Sequence, residues 1–499
     1  MTVSQALEKL SAYEKLMFTY NHTSGLMYYD GATVAPRGSA DLRADTLGEL
    51  ARLSYALTTA PETVEMLRTL VEARDRLDPV TARKVSELWR DYEMTHRVPE
   101  EEFVAYQQLT SKADAVWHEA KERSDFALFE PYLQQVFDGS RRLAEYMQPD
   151  KDPYDAQLDR FERGLTRETC DAFFAALRQE LVPLIDRVKA HADRVDDAPL
   201  HRSFPVAIQR ELSDFVMDVM DIDRNHCIIG ETEHPFTINF SRDDVRITTN
   251  YQEDLVASSL YSVVHEGGHA LYELHVDREL SRTRLGGGVS MAIHESQSRF
   301  YENIIGRSRA FCGVIYPWLR EHFAPRLDDV SQDAFYRMIN KAQPSLIRTE
   351  ADELTYCLHI MVRYELEKRM FTGELTAHDL PAEWNRLYKA YLGVDVPNDR
   401  EGVLQDSHWA NGNIGYFPSY AIGSAYGAQY LLEMQKDFDV FEAVRSGKLT
   451  KINGWMEEKI WKYGCMKDPT PLFESVCGKF DPTRYTAYLR EKLTEVYGL

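Results

Sequence analysis

His265-Glu266-Gly267-Gly268-His269 constrains this chain more than any other stretch, because it requires a helix and a partner segment beside it. Residues four apart share one face of a helix, so both imidazoles can reach a single metal ion. Glu266 follows the first histidine and can address a water held by that metal. Zinc lowers the pKa of bound water to about 7, where a nearby carboxylate can take its proton. A catalytic zinc site usually has three protein ligands and one open position, so a third ligand must come from elsewhere.

Three candidates for that ligand lie downstream. His275 completes a histidine spacing known from other zinc peptidases, but that arrangement needs a glycine turn where this chain has Tyr272. With the helix running on, six residues carry His275 about 9 Å along the axis and about 120° away from the His269 row. Glu273 shares the face of His269 one turn further on and reads as a surface charge. Glu295 is the better candidate: it follows the Gly286-Gly287-Gly288 break, where the chain can reverse and bring a second helix to the histidines. His294, about 100° around that helix from Glu295, reads as a partner of a ligand, a substrate-facing group or a packed histidine. Gly267 and Gly268 each cost a helix about 1 kcal/mol relative to alanine. Paying that twice points to a close approach, by substrate backbone or a packed neighbour, with a merely flexible turn as the alternative.

Helical periodicity extends over most of the 499 residues. Asp481-Pro482 supplies an N-cap and a first-turn proline, and Tyr485, Tyr488, Leu489, Leu493 and Val496 follow at spacings of three and four. The segments Leu7–Met17, Ser111–Arg123 and Ala351–Met370 read likewise. Breaks fall at Pro149–Pro153, Gly286–Gly288, Pro397–Asp399 and Asp468–Pro471. One region departs from this pattern. Phe236–Phe240 and Val245–Thr248 alternate in the β manner across Ser241–Asp244, which predicts a hairpin just upstream of the histidines. The expected fold is mainly α, with a small β element near the metal site.

The bulk properties exclude several classes. A formal charge of −22 argues against nucleic-acid binding, which needs a basic surface. No stretch approaches the roughly 18 apolar residues of a membrane span, and Met1–Leu10 lacks an apolar signal core. The cysteines (Cys170, Cys227, Cys312, Cys357, Cys465, Cys477) are scattered, as expected for reduced thiols of a cytoplasmic protein.

Two later blocks carry groups suited to amide chemistry: Ile347–Tyr356, and Gln405–Trp409 followed by Gly415–Tyr420. Amide hydrolysis builds an oxyanion that needs donors besides the metal, and His408, Tyr416 and Tyr420 are the right kinds of group. Core aromatics with satisfied hydroxyls explain the same residues. Arg348 can clasp a free carboxylate bidentately, or pair along a helix with Asp352 four residues on.

At these residues the chain closely resembles the carboxypeptidase Taq family of metallocarboxypeptidases. The matching blocks are His234-Pro235-Phe236, Asp244–Thr248, His265–His269, His294–Gln297, Ile347–Tyr356, Gln405–Trp409 and Gly415–Tyr420, in the family's order. The Tyr29-Asp30…Pro36-Arg37-Gly38 stretch is also similar, with Tyr29 where tryptophan is usual. The resemblance implies one catalytic unit over residues 1–499: a large helical body, with two lobes flanking a long central groove, commonly dimeric. It implies one divalent metal, zinc with cobalt or manganese as alternatives, held by His265, His269 and Glu295, with Glu266 as general base and acid. It implies release of single C-terminal residues with broad preference, C-terminal proline being resisted. Arg348 becomes the carboxylate anchor and Tyr420 a transition-state donor, helped by His408; His234, Arg246 and Tyr416 become substrate-groove residues. Some related zinc peptidases orient a histidine with an aspartate four residues after the glutamate ligand. Here that position is Arg299, so the orienting carboxylate must come from elsewhere. The nearest alternative is an oligopeptidase or dipeptidyl carboxypeptidase on the same scaffold; a more distant one is a non-catalytic peptide-binding protein with a structural metal.

Overall fold

Helix caps follow the rules read from the sequence. Asp481 accepts the Thr483 amide ahead of Pro482 at the start of the last helix, Pro482–Tyr497, and Ser290 accepts the Ile293 amide to open the Met291–Arg299 helix. The computed structural model describes residues 1–499, the side chain of Arg37 excepted; that residue of the Tyr29–Gly38 stretch therefore lies outside the described side chains. Among the described residues the regular structure is twenty α-helices and one three-stranded sheet, the mainly-α fold that the periodicity predicts. No helix among them is long and apolar enough to cross a membrane.

Apolar faces gather into two cores. The smaller joins helices Val3–Thr33, Pro61–Glu72 and Pro79–Arg97 through Leu10, Tyr13, Met66, Leu67, Leu70, Val85 and Leu88. The larger takes in the remainder of the chain, from Tyr106 to Tyr497. The Ala40–Thr59 helix of the N-terminal region has no fully buried residue and meets the smaller core only at its end, where the half-buried Leu57 packs against it.

The predicted hairpin is present as β2 (Thr237–Ser241) and β3 (Asp244–Thr249), antiparallel with Thr237 opposite Ile247 and an irregularity at Asn239–Ser241. A third strand, β1 (Cys227–Glu231), was not visible in the periodicity and pairs parallel to β3, Cys227 opposite Val245. Its residues, Cys-Ile-Ile-Gly-Glu, do not alternate apolar with polar, and neither does their burial, so a period of two does not reveal it. On β3 the alternation puts Val245 and Ile247 into the core and Arg246 on the other face.

The predicted Ala351–Met370 helix begins later, at Tyr356. The Asp352 carboxylate accepts the amides of Leu354 and Thr355 at 2.9 and 3.1 Å, which holds this stretch in a turn. Gly268 and Gly423 mark where the central helices touch. A Cβ on Gly268 would lie 2.8 Å from the Gln297 carbonyl oxygen and the Ser298 Cα. One on Gly423 would lie 2.8 Å from Glu295 Cβ. Val256–Leu274, Met291–Arg299 and Phe417–Asp437 therefore pack backbone to backbone around Glu295.

Candidate active site

The ligand atoms of His265, His269 and Glu295 all lie within 4.8 Å of one another. Glu295 Oε2 is 3.8 Å from His265 Nε2 and 3.5 Å from His269 Nε2. Gly268 allows this convergence, because any side chain there would push the second helix away. Gly267 faces Met220 and Ile222. Both glycines thus meet packed neighbours.

Each imidazole is held from behind through its other nitrogen. His265 Nδ1 bonds Glu302 Oε2 at 2.8 Å, and Glu302 is itself paired with Arg299 and Arg307. His269 Nδ1 meets His294 Nδ1 at 2.7 Å, and His294 Nε2 meets Glu273 Oε1 at 2.7 Å. Such outer contacts set the tautomer and aim the free Nε2 at an ion. Burial, with His294 and His265 nearby, pushes His269 down to about 3, so it stands as the neutral, ligating form. Burial works against ionisation of Glu295, but the Arg299 guanidinium, bonded to Oε1 at 2.6 Å, holds it well below the usual carboxylate range. Burial would lower His265, but Glu295 and Glu302 raise it above its usual value, so an ion binding there would displace its proton. Two imidazole nitrogens and one ionised oxygen, braced and convergent, fit a divalent metal ion.

Glu273 corrects the reading of a surface charge: it is 6% exposed and anchors the His294 relay, also accepting the Gly288 amide and Asn239 Nδ2. His275 turns away, bonding the Leu271 carbonyl and packing against Trp461. Glu266 is buried, which raises its pKa. Thr237 Oγ1 on β2 donates to Glu266 Oε2 at 2.6 Å, leaving Oε1 without a hydrogen-bond partner among the described residues.

Arg348 does not pair with Asp352, which is committed to backbone amides. Its Nε and Nη2 donate to Asp406 Oδ1 at 3.0 and 2.8 Å, and Nη1 reaches Tyr356 OH at 3.3 Å. Two of the five guanidinium N–H groups remain without an acceptor among the described residues. Asp406 also accepts from the fully buried Arg363. One carboxylate between two guanidinium groups leaves the cluster with a surplus positive charge. Tyr420 lies with its ring 5.2 Å from the Arg348 guanidinium, and its hydroxyl is 3.3 Å from His408 Nε2. Tyr416 packs edge-on to Tyr420, ring centres 4.9 Å apart. Burial, and then the charges of Arg348 and Arg363, push His408 down to about 4 despite Asp406, so it is neutral near pH 7.

Contacts join these two groups. Arg299, bonded to Glu295, stacks 4.1 Å over the Tyr356 ring, and the Tyr356 hydroxyl accepts from Arg348. Arg246 and His234 do not join them. Arg246 lies on the sheet face opposite Val245 and Ile247, between the rings of Tyr29 and Phe240 and paired with Asp244. His234 is exposed in the β1–β2 turn.

Several residues of this cluster carried no signal that sequence reasoning used. Glu302 lies seven residues after Glu295, two turns on, a spacing that could have singled it out. It sits in a π-helical turn, Phe300–Ile305, which periodicity does not foresee. Thr237, Asp406 and Arg363 reach the site only through long-range contacts.

The family model described as Carboxypeptidase Taq (M32) metallopeptidase matches residues 9–493. Carboxypeptidase 1 of Bacillus subtilis is 39% identical over 498 residues, covering 98% of this chain and 99% of the relative. Thermostable carboxypeptidase 1 of Thermus thermophilus is 36% identical over 511 residues, covering 100% of both. A crystal structure of an M32 carboxypeptidase from Deinococcus radiodurans R1 superposes with a TM-score of 0.96 at 35% identity, over 99% of this chain and 100% of that one.

Proposed function

Because the chain belongs to the carboxypeptidase Taq (M32) family of metallopeptidases, we propose that it releases single C-terminal residues from peptides, with broad preference and C-terminal proline disfavoured. One observation carries this reading: the unbroken contacts from Glu295 through Arg299 and Tyr356 to Arg348. They set a cation with spare donors at a fixed separation from the candidate metal ligands. That arrangement suits a substrate whose free carboxylate marks the end to be cut.

His265, His269 and Glu295 would hold one divalent ion, zinc first, with cobalt or manganese suiting the same ligands. When bound, such an ion polarises the scissile carbonyl and makes water more acidic. Glu266 takes the proton of the attacking water on Oε1, the oxygen Thr237 leaves free, and returns it to the departing amine. Tyr420, with neutral His408 behind its hydroxyl, donates to the oxyanion. Arg348 binds the terminal carboxylate, and Tyr416 backs Tyr420. Arg246 and His234 would meet more distant parts of the peptide. A homodimer, a two-lobed body about a groove and a cytoplasmic workplace belong to the same proposal.

Mass spectrometry of products from a defined peptide, free and C-terminally amidated, with and without chelator, tests it. The free peptide should shorten one residue at a time, while amidation or chelation stops the reaction. Dipeptides or internal fragments would transfer the chain to the oligopeptidase or dipeptidyl class. Binding without release would make it a peptide-binding metalloprotein.

The outer carboxylate gives a second expected result. Glu302→Gln keeps an acceptor near His265 but loses the charge that pairs Arg299 and Arg307. Metal affinity should weaken by about 10- to 100-fold, read by competition with a chromophoric chelator. Unchanged affinity would remove Glu302 from the support of the metal ligands.

A further inference from the structure

The connection from Gly393 to Tyr416, between helices Leu380–Leu392 and Phe417–Asp437, is built of turns. Connections this long in a folded domain are usually functional, and they need something to hold their shape. The Tyr356–Thr372 helix supplies it. Although almost wholly buried, this helix carries Tyr356, His359, Arg363 and Glu367 at spacings of three and four, a polar stripe in an apolar interior. Each member has a partner: Arg348 for Tyr356, Tyr388 for His359, Gln405 and Asp406 for Arg363.

Glu367, 0% exposed, ends the stripe. Its Oε1 accepts Trp409 Nε1 at 2.7 Å; its Oε2 accepts Tyr154 OH at 2.8 Å and the Gly415 amide at 2.9 Å. No cation bonds it directly among the described residues, and burial pushes its carboxyl up to about 7, although the three donors act against that. Two of them are the ends of one short loop. Trp409 follows His408, and Gly415 precedes Tyr416. Gly415 has φ +88°, and a Cβ there would lie 2.9 Å from the Gln157 backbone, so the loop has one way to close.

We propose that Glu367 is a positioning residue for the reaction: by pinning Trp409 and Gly415 to one carboxylate, it fixes His408 and Tyr416 around the Tyr420 hydroxyl. This rests on the assignment of Tyr420 as the oxyanion donor. Glu367 touches no substrate; it acts through the loop. Glutamine at this position cannot accept from all three donors, since its amide nitrogen would face one of them. The loop is then free to shift, and displacements near 1 Å can cost about 100-fold in rate.

The test is a double-mutant cycle in kcat on a free peptide, with the metal supplied and folding followed by thermal denaturation. Glu367→Gln should lower kcat by about 10- to 100-fold in the otherwise native enzyme. In a Tyr420→Phe background, where the positioned hydroxyl is already gone, the same change should cost less than about threefold. A purely structural role would give equal factors in both backgrounds, and that result overturns the proposal. If Glu367→Gln does not fold, Trp409→Phe, which removes one donor and keeps an aromatic ring, carries the same comparison. Tyr420→Phe at full activity would sink the oxyanion assignment and this role with it. Additivity beside a crippled Tyr420→Phe sinks this role alone.

Discussion

Replacing Glu266 by glutamine should abolish nearly all turnover while leaving the metal bound. The substitution keeps the side chain's size and its contact with Thr237 Oγ1, which can donate to the amide oxygen. It removes the ability to take a proton. Positioned acid–base catalysis contributes about 10²- to 10⁴-fold, or roughly 3–5.5 kcal/mol of barrier, and Glu266 performs both transfers. Burial already raises this carboxyl, so it parts with and accepts a proton more evenly than a solvated glutamate. Steady-state kinetics beside metal analysis separates the base from the ligands: His265, His269 and Glu295 remain, so stoichiometry should not change. Activity within tenfold of the native enzyme, with metal retained, would require another base.

Loss of Arg348 is the second large effect, and it should depend on the substrate. Arg348→Met removes the N–H groups assigned to the peptide carboxylate and leaves Asp406 with Arg363 alone. Truncating one partner of a buried, hydrogen-bonded charge pair costs about 2–5 kcal/mol, so kcat/KM on a free peptide should fall by roughly 30- to 5,000-fold. Arg348→Lys should recover little, because an ammonium cannot span Asp406 and a carboxylate at once. A C-terminally amidated peptide should be equally poor for native and variant enzymes. A uniform loss on every substrate would point to damage at Tyr356 and Arg299, the residues that link Arg348 to Glu295. Retention of the native kcat/KM on the free peptide would end the anchor assignment.

Much of the frame was legible because it is local. The cap at Asp481, the β2–β3 hairpin, the histidine pair and the exclusion of His275 follow from periods of 3.6 and 2 and from turn residues. Strand β1 escaped because Cys227–Glu231 does not alternate apolar with polar, and the helix expected from Ala351 starts late because Asp352 occupies the amides that precede it. Glu273 was read as a surface charge because a helical wheel does not show what packs against it. His294, from another helix, draws it inside.

Residue identity and spacing by themselves determined the chemistry on offer: two imidazoles on one helical face, a carboxylate beside the first, and a glycine break after which Glu295 could return. Those are properties of neighbours in the chain, set by helical geometry. Which group braces each histidine, Glu302 for His265 and His294 backed by Glu273 for His269, and whether Arg348 answers to Asp352 or Asp406, only the tertiary structure decided. The reason is physical. These contacts join groups far apart in sequence, and those around the histidines form where Gly268 and Gly423 let three helices close on Glu295 with no side chain between them.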